Sequence, residues 1–142
     1  PGLYRHYKGG WYEVIGTARC SETLQGMTLY RALYGEGLMG EALWVRPSEM
    51  FNETGEFEGR HQKRFRRVGV ADLVPTDLPT AHALVAHLRH RAGRQGIDLA
   101  ARLRPPPPEP TTCCGRGCNG CVWEGHYQAV RYWADDALDH LG

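Results

Sequence analysis

The chain has 142 residues, 42% hydrophobic and 23% charged, and its 17 Lys and Arg against 16 Asp and Glu give a net charge of +1. No apolar run approaches the roughly 20 residues that a membrane-spanning helix needs. The N-terminal stretch PGLYRHYKGGWYEV lacks the apolar core of a signal peptide, so a cytoplasmic protein with no membrane partner is expected. Near-neutrality hides an asymmetry. Residues 60–104 carry ten basic and three acidic side chains (+7), whereas residues 1–59, with five and eight, and residues 105–142, with two and five, each carry −3. Such a block pairs readily with the acidic segments beside it. If it binds nucleic acid instead, Arg60, Lys63, Arg64, Arg66 and Arg67 are the phosphate contacts.

From Tyr4 to about Val70 the pattern is one of short strands and tight turns. Tyr4 to Tyr7, Trp11 to Ala18, Met27 to Tyr34 and Ala42 to Val45 are rich in aromatic and β-branched residues, and Gly or polar breaks separate them. Arg60 to Val70 is expected to add the last strand of a meander that closes into a small barrel, which removes exposed edges. Pro47 suits the first turn of a helix and cannot donate to a ladder, so residues 47–51 read as a single helical turn. Tyr4, Tyr7, Trp11, Tyr30 and Trp44 are candidates for an aromatic face that takes a peptide or nucleic acid. A barrel this small also needs aromatics in its core, which competes for the same residues.

Several blocks in this region occur in a recognisable order: YRHYKG at 4–9, YEVIGTA at 12–18, SETL at 21–24, YRALYG at 30–35 and LWVRP at 43–47. Over about Gly2 to Phe51 the chain resembles the family known as domain of unknown function 1653. The resemblance implies an SH3-like small barrel, and no established biochemical role comes with it. At Cys20 the chain departs from the histidine expected in that family.

After a connector at 71–76, Asp77 can cap a helix and Pro79 suits its first turn, with Leu78, Ala81, Leu84, Val85, Leu88 and Ala92 on one face. His82, His87 and His90 lie among them at offsets that do not stack cleanly, so solvent-facing positions are expected. Gly93 and Gly96 should end or interrupt the helix, and a short helical segment through Leu103 is stopped by Pro105. The run Pro105-Pro106-Pro107-Pro108-Glu109-Pro110 reads as a stiff polyproline II tether.

Cys113, Cys114, Cys118 and Cys121 follow at once, in the order Cys-Cys-x3-Cys-x2-Cys, with Gly115, Gly117 and Gly120 letting the backbone turn between them. In a reducing compartment such clustering points to metal binding or redox chemistry rather than structural disulfides. Adjacent Cys113 and Cys114 point in different directions, which is awkward for one tetrahedral zinc ion and easier for an iron-sulfur cluster with several iron corners. An iron-sulfur cluster is the cofactor expected, zinc the alternative, and redox-active or free thiols a third reading. His126 is an extra candidate ligand, read otherwise as an exposed position on the following helix. That helix carries an apolar stripe through Val122, Trp123, Tyr127, Val130, Ala134, Ala137, Leu138 and Leu141, widened by Tyr132 and Trp133.

The segment PPPPEPTTCCGRGCNGCVWEGHY, within a stretch from about Pro105 to Trp133, is similar to the oxidoreductase-like domain found as a short N-terminal module. This resemblance implies involvement in redox chemistry.

The combined expectation is an α+β protein: a small SH3-like β-barrel at 1–70, a helical connector at 71–104, and a Pro-rich tether with a Cys-rich loop-helix module at 105–142. The first functional reading is a metal-binding redox-accessory protein whose barrel recognises a protein partner. The second is a binding module for peptide or nucleic acid with a structural metal or free thiols at its C-terminal end. No Ser-His-Asp order, phosphate loop or dinucleotide fingerprint is present, so an accessory role is favoured over stand-alone catalysis.

Overall fold

The computed structural model describes residues 2–35, 43–110 and 122–141. The chain divides into two compact units, Pro1–Gly69 and Val70–Gly142. Among the described residues no helix is long and apolar enough to cross a membrane.

The first unit is built on an antiparallel sheet. Strands β1 (Gly2–His6), β2 (Trp11–Arg19), β3 (Gly26–Ala32), β4 (Trp44–Pro47) and β7 (Phe65–Val68) lie in the order β4-β3-β2-β1-β7, and β5 (Thr54–Phe57) and β6 (Arg60–Lys63) form a separate hairpin. Side chains alternate across a strand, so the register decides which residues share a face. Tyr4 opposite Tyr12 and Val14 opposite Tyr30 stand on one face; Arg5 opposite Trp11 and Leu3 opposite Glu13 stand on the other. An extra residue at Ile15 shifts the β2–β3 register between Val14 and Gly16.

The first face is covered by a single helical turn, α1 (Ser48–Phe51), which follows Pro47 as the sequence predicts and lowers Phe51 onto the sheet. Phe51 stacks on Phe65 with centroids 4.1 Å apart and planes 6° from parallel, and Tyr30, Tyr4 and Tyr12 meet this pair edge-on or tilted. Val14, Tyr30, Phe51 and Phe65 form the buried centre, with Tyr4 and Tyr12 packed against it.

The expected barrel does not close. Among the described residues the sheet is open, with β4 and β7 as its edges. The stretch from Arg60 to Val70 does not act as one strand. It splits at Arg64 into β6, which pairs with β5, and β7, which pairs with β1. The Glu58-Gly59 turn, with φ of 54° and 74°, has the two left-handed positions that join tightly twisted hairpin strands. Among the described residues β5 and β6 pair with each other and not with either edge of the larger sheet.

The second unit packs α2 (Leu78–Arg94), α3 (Leu99–Arg102) and α4 (Val122–His140) around Leu84, Leu88, Val130, Trp133, Ala134 and Ala137. Asp77 caps α2 by accepting a hydrogen bond from the Thr80 amide at 2.9 Å. Gly93 does not interrupt α2. The helix runs through it to Arg94 and ends on Gly96 in the left-handed conformation, with the Ile97 amide donating to the Ala92 carbonyl at 2.9 Å and the Gly96 amide to Gly93 at 3.2 Å. Of the three histidines expected to face solvent, His87 is buried, because α2 also buries Ala83 and Ala86 beside its core stripe.

The two glycines predict opposite outcomes. Gly93 lies in the last turn of α2 with open space where a Cβ would lie, whereas Gly96, beyond the helix, has φ +71°. Gly93→Ala should stabilise by up to about 1 kcal/mol, and Gly96→Ala should destabilise by about 1 kcal/mol, in denaturant unfolding. Shifts of equal sign would contradict this capping geometry.

Candidate functional site

The β1–β2 turn of the first unit gathers basic side chains. Gly9, at φ +100°, lets the chain reverse within Tyr7-Lys8-Gly9-Gly10, and the turn closes through the Gly9 amide to the His6 carbonyl and the His6 amide to the Gly10 carbonyl, both 2.8 Å. The Tyr7 amide donates to the Arg64 carbonyl at 3.0 Å, which fixes the turn beside the end of β6. The result is a cleft of about 300 Å³ lined by Arg5, His6, Tyr7, Lys8, Gly9, Gln62, Lys63 and Arg66. The Lys8 amide donates to His6 Nδ1 at 3.1 Å, so in neutral His6 the proton sits on Nε2. Burial, followed by the positive fields of Arg46, Arg64 and Lys8, holds the His6 imidazole below its usual value.

The five sequence-predicted phosphate contacts do not form one patch. Lys63 and Arg66 line the cleft. Arg64 is paired with Glu53 at 2.9 Å and lies over the Phe57 ring at 4.8 Å. Arg60 stands opposite Phe57 in the hairpin, and strand alternation sends Arg67, opposite Tyr4, to the other face from Arg66. Gln62 lies beside Lys63, whereas Arg5, His6 and Lys8 join the cleft from a distant part of the chain. The only signal for them in the sequence is the pair of basic residues flanking the turn in YRHYKG.

The five aromatic candidates are likewise dispersed. Tyr30 is 6% exposed within the aromatic core, and Trp11 is 3% exposed on the opposite face of the sheet, with the Arg5 guanidinium 4.9 Å from its ring centroid. Tyr4 packs on Phe51 and Tyr7 stacks on Phe57 at 4.6 Å. Trp44, on the β4 edge, is 57% exposed.

In the second unit the proline run is held against the helices. Trp133, 1% exposed, donates its indole N–H to the Arg104 carbonyl at 2.9 Å, and Arg104 reaches Asp136 at 2.8 Å. Farther along, Glu109 pairs with His82 on α2. Cys113, Cys114, Cys118 and Cys121 lie outside the described residues, and α4 begins directly after them at Val122. His126 is buried rather than exposed, its ring 5.8 Å from that of Trp123 at an interplanar angle of 89°. Among the described residues no group of three or more His, Cys, Asp or Glu side chains is placed to hold a metal ion.

Comparison with known families follows the same division. Residues 2–67 match the family model described as protein of unknown function, DUF1653. The chain belongs to the DUF1653 family. Residues 100–140 match a second model, oxidoreductase-like protein, N-terminal. A crystal structure of a DUF1653 protein from Bordetella bronchiseptica is 38% identical over 49% of this chain and 86% of its own, with a TM-score of 0.42. The DUF1653 match takes in every residue that lines the basic cleft, and the oxidoreductase-like match takes in the anchored proline run and all of α4.

Cys20 belongs to the DUF1653 stretch and is a free, partly exposed thiol. Hydrogen bonds from the Thr23 side chain and from the Thr23 and Glu22 backbone push it below its ordinary value.

The His6 environment has a measurable sign. Its proton affinity is depressed in the folded state, so on acidification the unfolded chain takes up the proton first, near pH 6.5. The His6 ring resonances should titrate with a midpoint below 6.5. Stability should fall as the pH drops through 6.5, and the His6→Gln variant should lose part of that slope. A midpoint at or above 6.5 would contradict the burial and positive field described here.

Proposed function

We propose that the chain is a metal-holding redox-accessory protein in which Cys113, Cys114, Cys118 and Cys121 bind an iron-sulfur cluster, with zinc as the alternative occupant. The observation that carries this reading is the anchoring on both sides of the cysteine segment. Before it, Arg104 and Glu109 are fixed by Trp133 and His82; after it, the chain enters α4 at once. Holding the ends of a loop lowers the entropy that its thiolates lose when they converge. The donor set itself is chemically suitable, since four thiolates are the soft ligands that iron-sulfur clusters and zinc prefer. A bound cluster would supply one-electron transfer, whereas zinc would act only as a structural staple.

The chain's own contributions are distinct from the metal's. Buried His126 and half-buried Trp123 lie just beyond the last cysteine, their rings edge to face at the start of α4. In this reading the DUF1653 unit recognises the protein partner that uses or delivers the metal. Exposed Leu43, Trp44 and Val45 on and beside the β4 edge are the surface we assign to that contact.

Single replacements Cys114→Ser, Cys118→Ser and Cys121→Ser should each abolish metal retention, while Cys20→Ser should retain it. Protease sensitivity between residues 105 and 123 should rise together with metal loss, because binding energy in a small module is largely folding energy. Trp133→Phe removes the indole donor without emptying the core, and should raise the same sensitivity at a cost of about 1 kcal/mol. Full metal occupancy in all three loop variants, or equal loss in Cys20→Ser, would overturn the assignment.

A further inference from the structure

We propose that the cleft at the β1–β2 turn of the DUF1653 unit binds a compact pyrophosphate group, either free or carried by a nucleotide. The inference stands independently of the cysteine segment. Arg5 and Lys8 approach from the first turn, and Lys63 and Arg66 from the far side; among the described residues no carboxylate lines the cleft. Glu53 is taken by Arg64, and neither is part of the lining. Four cations line one space of about 300 Å³, Arg5 among them with its guanidinium over Trp11 and its Nε on the Gly9 carbonyl at 3.4 Å, and their summed charge is one that a single phosphate does not neutralise and a pyrophosphate nearly does.

Donor placement favours the same ligand. His6, its Nδ1 receiving the Lys8 amide and its ring packed on Phe65 at 4.8 Å, holds the turn in place, so the donors facing the cleft are the cations. Gly9 leaves nothing within 4 Å of the place a Cβ would occupy, so no side chain closes that rim of the cleft, while its amide is taken by the His6 carbonyl and its carbonyl by Arg5. Tyr7, the aromatic ring at the cleft, is already stacked on Phe57, which argues against a base sandwiched there. A nucleic-acid strand would need cations in a continuous track. The register breaks that track, because Arg67 lies on the opposite face and Arg60 stands out on the hairpin.

The test is calorimetric titration of the full chain with inorganic pyrophosphate, ADP, orthophosphate and a single-stranded oligonucleotide, against chloride at matched ionic strength. Pyrophosphate should bind, more tightly than orthophosphate, and weaken steeply with added salt. ADP should bind comparably if only the phosphates are read. Lys63→Ala with Arg66→Ala should weaken pyrophosphate binding by about tenfold or more, and Arg60→Ala with Arg67→Ala should leave it unchanged. Bound pyrophosphate should also raise the His6 midpoint, by offsetting the fields of Arg46, Arg64 and Lys8. Absence of pyrophosphate and ADP binding at low salt overturns the proposal. So does an oligonucleotide that binds more tightly than pyrophosphate and is weakened equally by the Arg60 and Arg67 replacements.

Discussion

A fully buried indole cannot leave its N–H without an acceptor, and in the second unit this requirement organises what surrounds it. Trp133 fills the centre of the α2–α4 core, and the acceptor it finds is the carbonyl of Arg104, the last residue before the prolines. Prolines bring no backbone donors of their own, so a proline run is held in place only through its carbonyls and through neighbouring side chains. Here those side chains are Arg104, closed on Asp136, and Glu109, closed on His82. What reads in sequence as a tether is therefore a strap laid on the helices. The buried Arg131 completes the unit, donating to the Val70 and Leu73 carbonyls at 2.8 and 2.6 Å and binding Asp135 on its own helix.

The first unit depends on a different constraint, the strict alternation of the sheet. The register that gathers Tyr4, Tyr12, Tyr30 and Phe65 under Phe51 also sends Arg5, Trp11 and Glu13 to the reverse face, where Glu13 lies 3.4 Å from the Arg31 guanidinium. Where β1 ends, alternation ends as well. Arg5, opposite Arg66 in the ladder, shares a cleft with Lys63, and the Gly9 turn brings Lys8 to it, so positive charge accumulates. The concentration of charge thus follows from the β1–β7 register, which sets Arg5 opposite Arg66, together with the turn that adds Lys8.

Much of this was legible in the residues themselves. The aromatic and β-branched segments gave β1 to β4, Asp77 and Pro79 marked the start of α2, and Val130, Trp133, Ala134 and Ala137 of the expected α4 stripe are buried, whereas its Val122 and Tyr132 are exposed and Arg131 is buried outside it. Two blocks of motifs also pointed to DUF1653 and to the oxidoreductase-like segment, as the family comparisons bear out. Closure of the sheet was not legible, because it depends on which strands pair over long range. The Glu58-Gly59 turn diverts β6 to β5, and nothing in the local composition of Arg60 to Val70 reveals the break at Arg64. Burial of His87 and His126 was missed for a related reason. Helical spacing locates one apolar face, whereas both histidines are enclosed by neighbours that only tertiary packing supplies.

The central claim is that an anchored cysteine segment holds a metal. Its most direct test is the metal and acid-labile sulfide content of the unaltered chain, purified without oxygen and read together with its visible absorption. The account predicts a brown protein with stoichiometric iron and sulfide, or a colourless one with one zinc per chain. Protein that carries neither metal after anaerobic purification would contradict it.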